Sequence, residues 1–159
     1  ASVAMGAKDN HVVQTFLEAD AHPGPSLIIA YSHCIAHGYD MVHGLTQQKL
    51  AVDSGVWPLY RFDPRRIEAG EPPLQLDAKP GKARVADYMA NETRFRIVEK
   101  IDRQRFHDLA HAADEYARRR VSIYEQLSRL TMNAPNGNGH AEDADPADAP
   151  APNRPATTN

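Results

Sequence analysis

Cysteine is nearly absent: the 159 residues contain one, Cys34. A single thiol forms no disulfide within its own chain, so nothing argues for an oxidising compartment, and the cytoplasm is the default expectation. Long apolar runs are missing too. None approaches the roughly 20 residues of a membrane span, and no membrane partner is implied. An excess of one charge is also lacking. The 18 Lys and Arg stand against 21 Asp and Glu, a net charge of −3, which gives no case for a nucleic-acid partner. The composition is otherwise that of an ordinary domain, long enough to bury a real core.

The densest apolar stretch is Ser26–Tyr31, bounded by Pro25 and by polar Ser32 and His33. Its shortness and its paired isoleucines predict a strand over Leu27–Tyr31, covered on both faces as in a parallel sheet. Ala1–Ala4 reads as another strand, turning at Gly6. Between them, Val12, Val13, Phe16 and Leu17 recur at helical spacing over residues 10–21, with Asp9 or Asn10 as cap. Pro23, Gly24 and Pro25 stop that helix. The order strand, helix, strand is a βαβ unit and predicts an α/β sheet. The chain begins inside this unit and without Met, so preceding sequence is expected.

Residues 35–43 read as a loop or a short helical turn, and 47–54 as a helix capped by Thr46 and ended by Gly55. Gln47, Gln48 and Lys49 read as its solvated face. Trp57–Phe62 reads as a strand that Pro58 places at an edge or makes irregular. Residues 65–82 are mostly connection, with a short strand at Leu74 and Leu76. Val85–Ala90 and Thr93–Lys100 are predicted short helices. Asp102–Leu130 is a long one, with Phe106, Leu109, Ala113, Tyr116, Ile123, Leu127 and Leu130 in alternating steps of three and four and Arg120 interrupting the seam. It is expected to dock on its own protein. Asn133–Asn159 has four acids, one base and no large apolar residue, and is expected to be disordered.

Cys34 lies just past the carboxyl end of the predicted strand, where open α/β sheets bind ligands. The residues leave three readings open. A buried structural thiol is one. A nucleophile with His33 or His37 as base is another. A metal ligand is the third, either with His37 and His43 around zinc or as one corner of an iron–sulfur cluster. Such a cluster takes four thiolates, so three would come from outside this chain. His11, His107, His111 and His140 read as surface residues.

The runs SVAMG (Ser2–Gly6), PGPSLIIAYSHCIAHG (Pro23–Gly38) and QQKLAVDSGVWPLYRFDP (Gln47–Pro64) closely resemble the pyruvate:ferredoxin (flavodoxin) oxidoreductase family. The likeness falls near the C-terminus of that long polypeptide, at the end of its thiamine-diphosphate-binding domain. ETRFRIV (Glu92–Val98) and SIYEQL (Ser122–Leu127) look like its C-terminal helical extension. The resemblance implies that residues 1–64 complete the thiamine-diphosphate-binding α/β domain with part of its parallel sheet. By the same resemblance, residues 65–132 form a mostly helical extension, whereas the tail 133–159, expected to be disordered from its composition, matches no motif of the family. It also implies oxidative decarboxylation of pyruvate with CoA to acetyl-CoA and CO2, reducing ferredoxin or flavodoxin. Thiamine diphosphate and Mg2+ would serve the decarboxylation, [4Fe-4S] clusters would carry the electrons, and the whole enzyme would be a homodimer. Cys34 matches the fourth ligand of the cluster nearest the thiamine. No catalytic and no thiamine-binding residue is expected in this segment. Two other readings compete: a related 2-oxoacid:ferredoxin oxidoreductase, and a stand-alone α/β interaction module with the long helix as its surface.

Overall fold

The computed structural model describes residues 1–132; the tail expected to be disordered, 133–159, lies outside the described residues. Strand β1 (Ser2–Ala4) leads through helix α1 (Asp9–Asp20) to β2 (Ile29–Tyr31). The two strands pair in parallel, Ser2 opposite Ile29 and Ala4 opposite Tyr31. The expected βαβ unit and its parallel pair are therefore present. Two single-turn 3-10 segments, Ile35–His37 and Met41–His43, then lead into α2 (Gly44–Asp53). Strand β3 (Tyr60–Phe62), the short helix α3 (Arg65–Glu68) and β4 (Leu74–Leu76) follow. The sheet order is β2-β1-β3-β4, and both β1–β3 and β3–β4 pairings are antiparallel. The sheet is mixed because β1 pairs in parallel with β2 and antiparallel with β3; the 63–73 connection, shorter than the dozen or so residues that a parallel crossover takes, suits the antiparallel β3–β4 pair.

Two strand expectations change. Pro58 does not put β3 at an edge: the strand starts at Tyr60, so the ladder never needs the missing N–H, and β3 lies inside the sheet. Pro58 instead accepts a hydrogen bond from Ser2 Oγ through its carbonyl, at 2.8 Å. The edge strands are β2 and β4. Strand β2 was expected to be covered on both faces, yet Ile29 is 45% exposed and Leu27 more so, because both side chains lie outside the two hydrophobic clusters of the described residues.

Helix α1 also sits differently from its apolar pattern. Only Val12 of the expected face is buried; Val13, Phe16 and Leu17 point outward. The inward face is His11, Val12 and Thr15. His11, expected on the surface, is buried because its Nε2 reaches Asp77 at 3.1 Å. Thr15 returns its hydroxyl to the His11 carbonyl at 2.8 Å, so Thr15 Oγ1 and His11 Nε2 have partners while buried His11 Nδ1 has none among the described residues. Neither Asp9 nor Asn10 caps: the capping position is Lys8. Asp9 occupies the first turn, where a carboxylate opposes the positive end of the helix dipole.

The helical extension comprises α4 (Val85–Ala90), α5 (Thr93–Ile101) and α6 (Arg103–Leu127), as expected to within a few residues. The Asp102 side chain caps α6, accepting from the Arg105 N–H at 2.9 Å. The long helix docks on its own protein, but through a face rotated from the predicted seam. Ala117 is buried, with Phe106, Ala110 and Ala113 packed against Ala51, Val85, Tyr88 and Met89. Leu109, Tyr116, Ile123, Leu127 and Leu130 stay exposed. Alanines let the helix backbone approach closely, and that decides the face. Arg120 is no mere interruption: its guanidinium donates to the carbonyls of Gly55 and Val56, just past the end of α2. A second cluster, Ala4, Val52, Leu59 and Ala78, fills the space under the sheet. Trp57 packs against both clusters and donates its indole N–H to the Val3 carbonyl at 3.0 Å.

Asp77 joins α1 to β3. It meets Arg61 at two points, Nε to Oδ2 at 3.0 Å and Nη2 to Oδ1 at 2.7 Å, and Arg61 also pairs with Glu18. Burial works to raise the Asp77 carboxyl pKa, but the hydrogen bonds from His11 and Arg61 outweigh it and hold it below the ordinary carboxylate value. A depressed folded value gives stabilisation that is complete above about pH 4, the unfolded value, and is lost as pH falls through the folded one. Asp77→Asn is therefore expected to lower Tm at pH 7 and to flatten the fall of Tm between about pH 4 and pH 2. Thermal denaturation across that range checks this, and an acid limb as steep as the parent's would remove Asp77 from the account.

Candidate functional site

Cys34 stands three residues past β2, with extended backbone (φ −141°, ψ 138°), and opens the turn Ile35–His37. Two backbone bonds close the turn, His37 N–H to the Cys34 carbonyl and Gly38 N–H to the Ile35 carbonyl, each 3.0 Å. The cysteine is exposed, which overturns the reading of it as a buried structural thiol. The zinc reading is not assembled either. Among the described residues no three His, Cys, Asp or Glu side chains converge, so His37 and His43 do not join Cys34 around an ion. His107 and His111 are exposed as expected, and His140 lies outside the described residues.

The residues beneath the loop carry the largest correction. Gln47 and Gln48 were expected on a solvated face, yet each is only 2% exposed. Helix α2 starts at Gly44, two residues before the expected cap Thr46, which lies inside the helix. That phase turns positions 44, 47, 48, 51 and 52 inward together. Gly44 is required there: a Cβ would stand 2.7 Å from the His33 ring. Gln48 Oε1 accepts the Gly6 N–H at 2.8 Å. Its amide nitrogen therefore faces His33 Nδ1, at 2.8 Å, making Nδ1 the acceptor and leaving the ring proton on Nε2. With Nδ1 so engaged, the nitrogen of His33 nearest α2 cannot serve Cys34 as a base.

Gln47 works on the other side. Its amide nitrogen donates to the Tyr88 carbonyl at 3.0 Å and to Glu92 Oε1 at 2.9 Å, and its oxygen accepts from Asn91 at 3.1 Å. Glu92 is fully buried and pairs with Arg94. His37 Nδ1 stands 3.8 Å from Glu92 Oε1. Arg94 also donates to the Tyr88 hydroxyl at 3.1 Å, and that hydroxyl lies 2.9 Å from Tyr31 at the end of β2. Burial pushes the Tyr31 hydroxyl well above its ordinary pKa, and burial raises Tyr88 as well. A polar network thus runs from the strand end through α4 and α5 to α2, beneath the cysteine loop, with His37 Nδ1 beside it lacking a hydrogen bond among the described residues. The signal for it was available: Gln47 and Gln48 share the helical phase of Ala51 and Val52.

An exposed thiol on a turn tied down from below can donate to a metal from one side only. As a donor set the chain fits one corner of a four-thiolate cluster and not the whole of it. No protein-family model matches the chain. The chain is 53% identical to a pyruvate-flavodoxin oxidoreductase of Rhodospirillum rubrum over 128 residues, 80% of this chain and 11% of that protein. A pyruvate-flavodoxin oxidoreductase of Trichormus variabilis is 46% identical over the same shares, and a pyruvate:ferredoxin oxidoreductase of Moorella thermoacetica 38%. The chain thus spans about a ninth of the length of the curated relatives it matches. Over that span it belongs to the pyruvate:ferredoxin (flavodoxin) oxidoreductase family, whose named members are enzymes.

Gln48→Ala would strand the Gly6 N–H and His33 Nδ1, and should cost about 1–3 kcal/mol. Lys49→Ala, which removes only an exposed pair with Asp53, should stay within about 0.5 kcal/mol. Urea denaturation of the two variants side by side separates a buried amide from a solvated one, and equal losses would contradict the packing described.

Proposed function

We propose that this chain is the part of a pyruvate oxidoreductase that supplies one ligand, Cys34, to a [4Fe-4S] cluster, and that it otherwise scaffolds that ligand. The observation that carries the reading is the setting of Cys34. The only thiol of the chain is exposed at the carboxyl edge of the parallel pair, on a turn held by buried side chains. When bound, such a cluster passes electrons singly. The work of this chain's residues is to hold the thiolate in place. The polar network fixes the strand end at Tyr31, Gln48 fixes His33, and the closed turn presents the sulfur.

The relatives' names support pyruvate as substrate and flavodoxin or ferredoxin as acceptor, and the family resemblance suggests the rest. The whole protein would oxidise pyruvate and reduce a flavodoxin or ferredoxin, with CoA as acyl acceptor. Thiamine diphosphate and Mg2+ would be held by residues outside this chain, and the enzyme would act as a homodimer in the cytoplasm. No helix of the described residues is long and apolar enough to cross a membrane.

Two measurements test the ligand. In the full-length enzyme, Cys34→Ser should lose up to one cluster's worth of iron and reduce ferredoxin or flavodoxin at least ten-fold more slowly; unchanged iron and rate would remove the assignment. The isolated chain, given iron and sulfide anaerobically, should form no stoichiometric [4Fe-4S] chromophore, and a full chromophore would contradict the one-corner reading.

A further inference from the structure

We propose that Thr93, at the start of α5, is a positioning residue for Cys34. This rests on the ligand assignment above and adds what sets the ligand's place. Thr93 sends two donors to one acceptor: its N–H reaches the Gly38 carbonyl at 3.2 Å, and its hydroxyl donates to the same oxygen. Gly38 is the last residue of the closed turn that begins at Cys34, and it adopts the left-handed conformation (φ 73°) that a residue with a side chain resists. A Cβ at Gly38 would stand 2.6 Å from Thr93 Cβ, so the two residues meet without slack. Directly behind them lies buried Glu92, with His37 at 3.8 Å. The cysteine turn is thus gripped at both ends from later in the chain, at His33 by Gln48 and at Gly38 by Thr93.

Displacing the turn displaces a thiolate and the backbone N–H groups around it, and cluster potentials respond to ligand placement and to hydrogen bonds near the sulfurs. Thr93 touches no reacting atom; it acts through the turn.

The test uses the full-length enzyme and EPR-monitored redox titration. Cys34→Ser identifies the cluster concerned by the signal and iron it loses. Thr93→Val, which removes the hydroxyl donor and keeps the shape, should retain full iron and shift the midpoint potential of that cluster alone. Thr93→Ser should restore it. Gly38→Ala, which strains the same junction from the turn side, should shift or weaken the same signal. If Cys34→Ser loses iron while Thr93→Val and Gly38→Ala leave the potential at the parent value, this inference is overturned and the ligand assignment stands. If Cys34→Ser keeps all its iron, both are overturned.

Discussion

Two adjacent amides on α2 hold this structure together where apolar packing is thin. A buried amide needs partners for two N–H groups and a carbonyl, and one left unpaired costs more than most single contacts contribute. Gln48 joins the turn after β1 to the histidine before Cys34. Gln47 joins α2 to α4 and to the buried carboxylate that starts α5. The α/β part and the helical part therefore share one set of hydrogen bonds. Because such bonds are directional, they fix the position of the cysteine turn more narrowly than hydrophobic contact would.

The hydrophobic core is divided between two clusters that meet at Trp57, and much apolar surface remains outside both. Val13, Phe16 and Leu17 on α1, Leu27 and Ile29 by edge strand β2, and the Leu109–Leu130 stripe all face outward. These faces carry a clear pattern in the sequence, and they belong to a chain that spans a ninth of the length of its relatives. Patterned apolar faces without a partner in the described residues are expected where a chain is one portion of a larger assembly.

The βαβ order, the parallel pair, both short helices and the long helix were legible because each rests on local periodicity and on proline or glycine stops. What could not be read had a common cause. Periodicity identifies a stripe, but not which of two neighbouring stripes packs. In α1 the choice fell to His11 and Thr15, and in α6 to the alanines, since partners and close approach decided where apolar count did not. Gln47 and Gln48 misled for the same reason: glutamine is mostly a surface residue, and only its partners far along the chain make it an interior one. Cys34 was found from sequence as a candidate, and its exposure was decided by the fold.

Both grips on the cysteine turn come from residues that follow it, at 48 and at 92–94. A polypeptide emerging from the ribosome delivers its thiol first and its clamps afterward. Until α5 is made, the turn is held only at its His33 end, by Gln48, and its Gly38 end waits for Thr93.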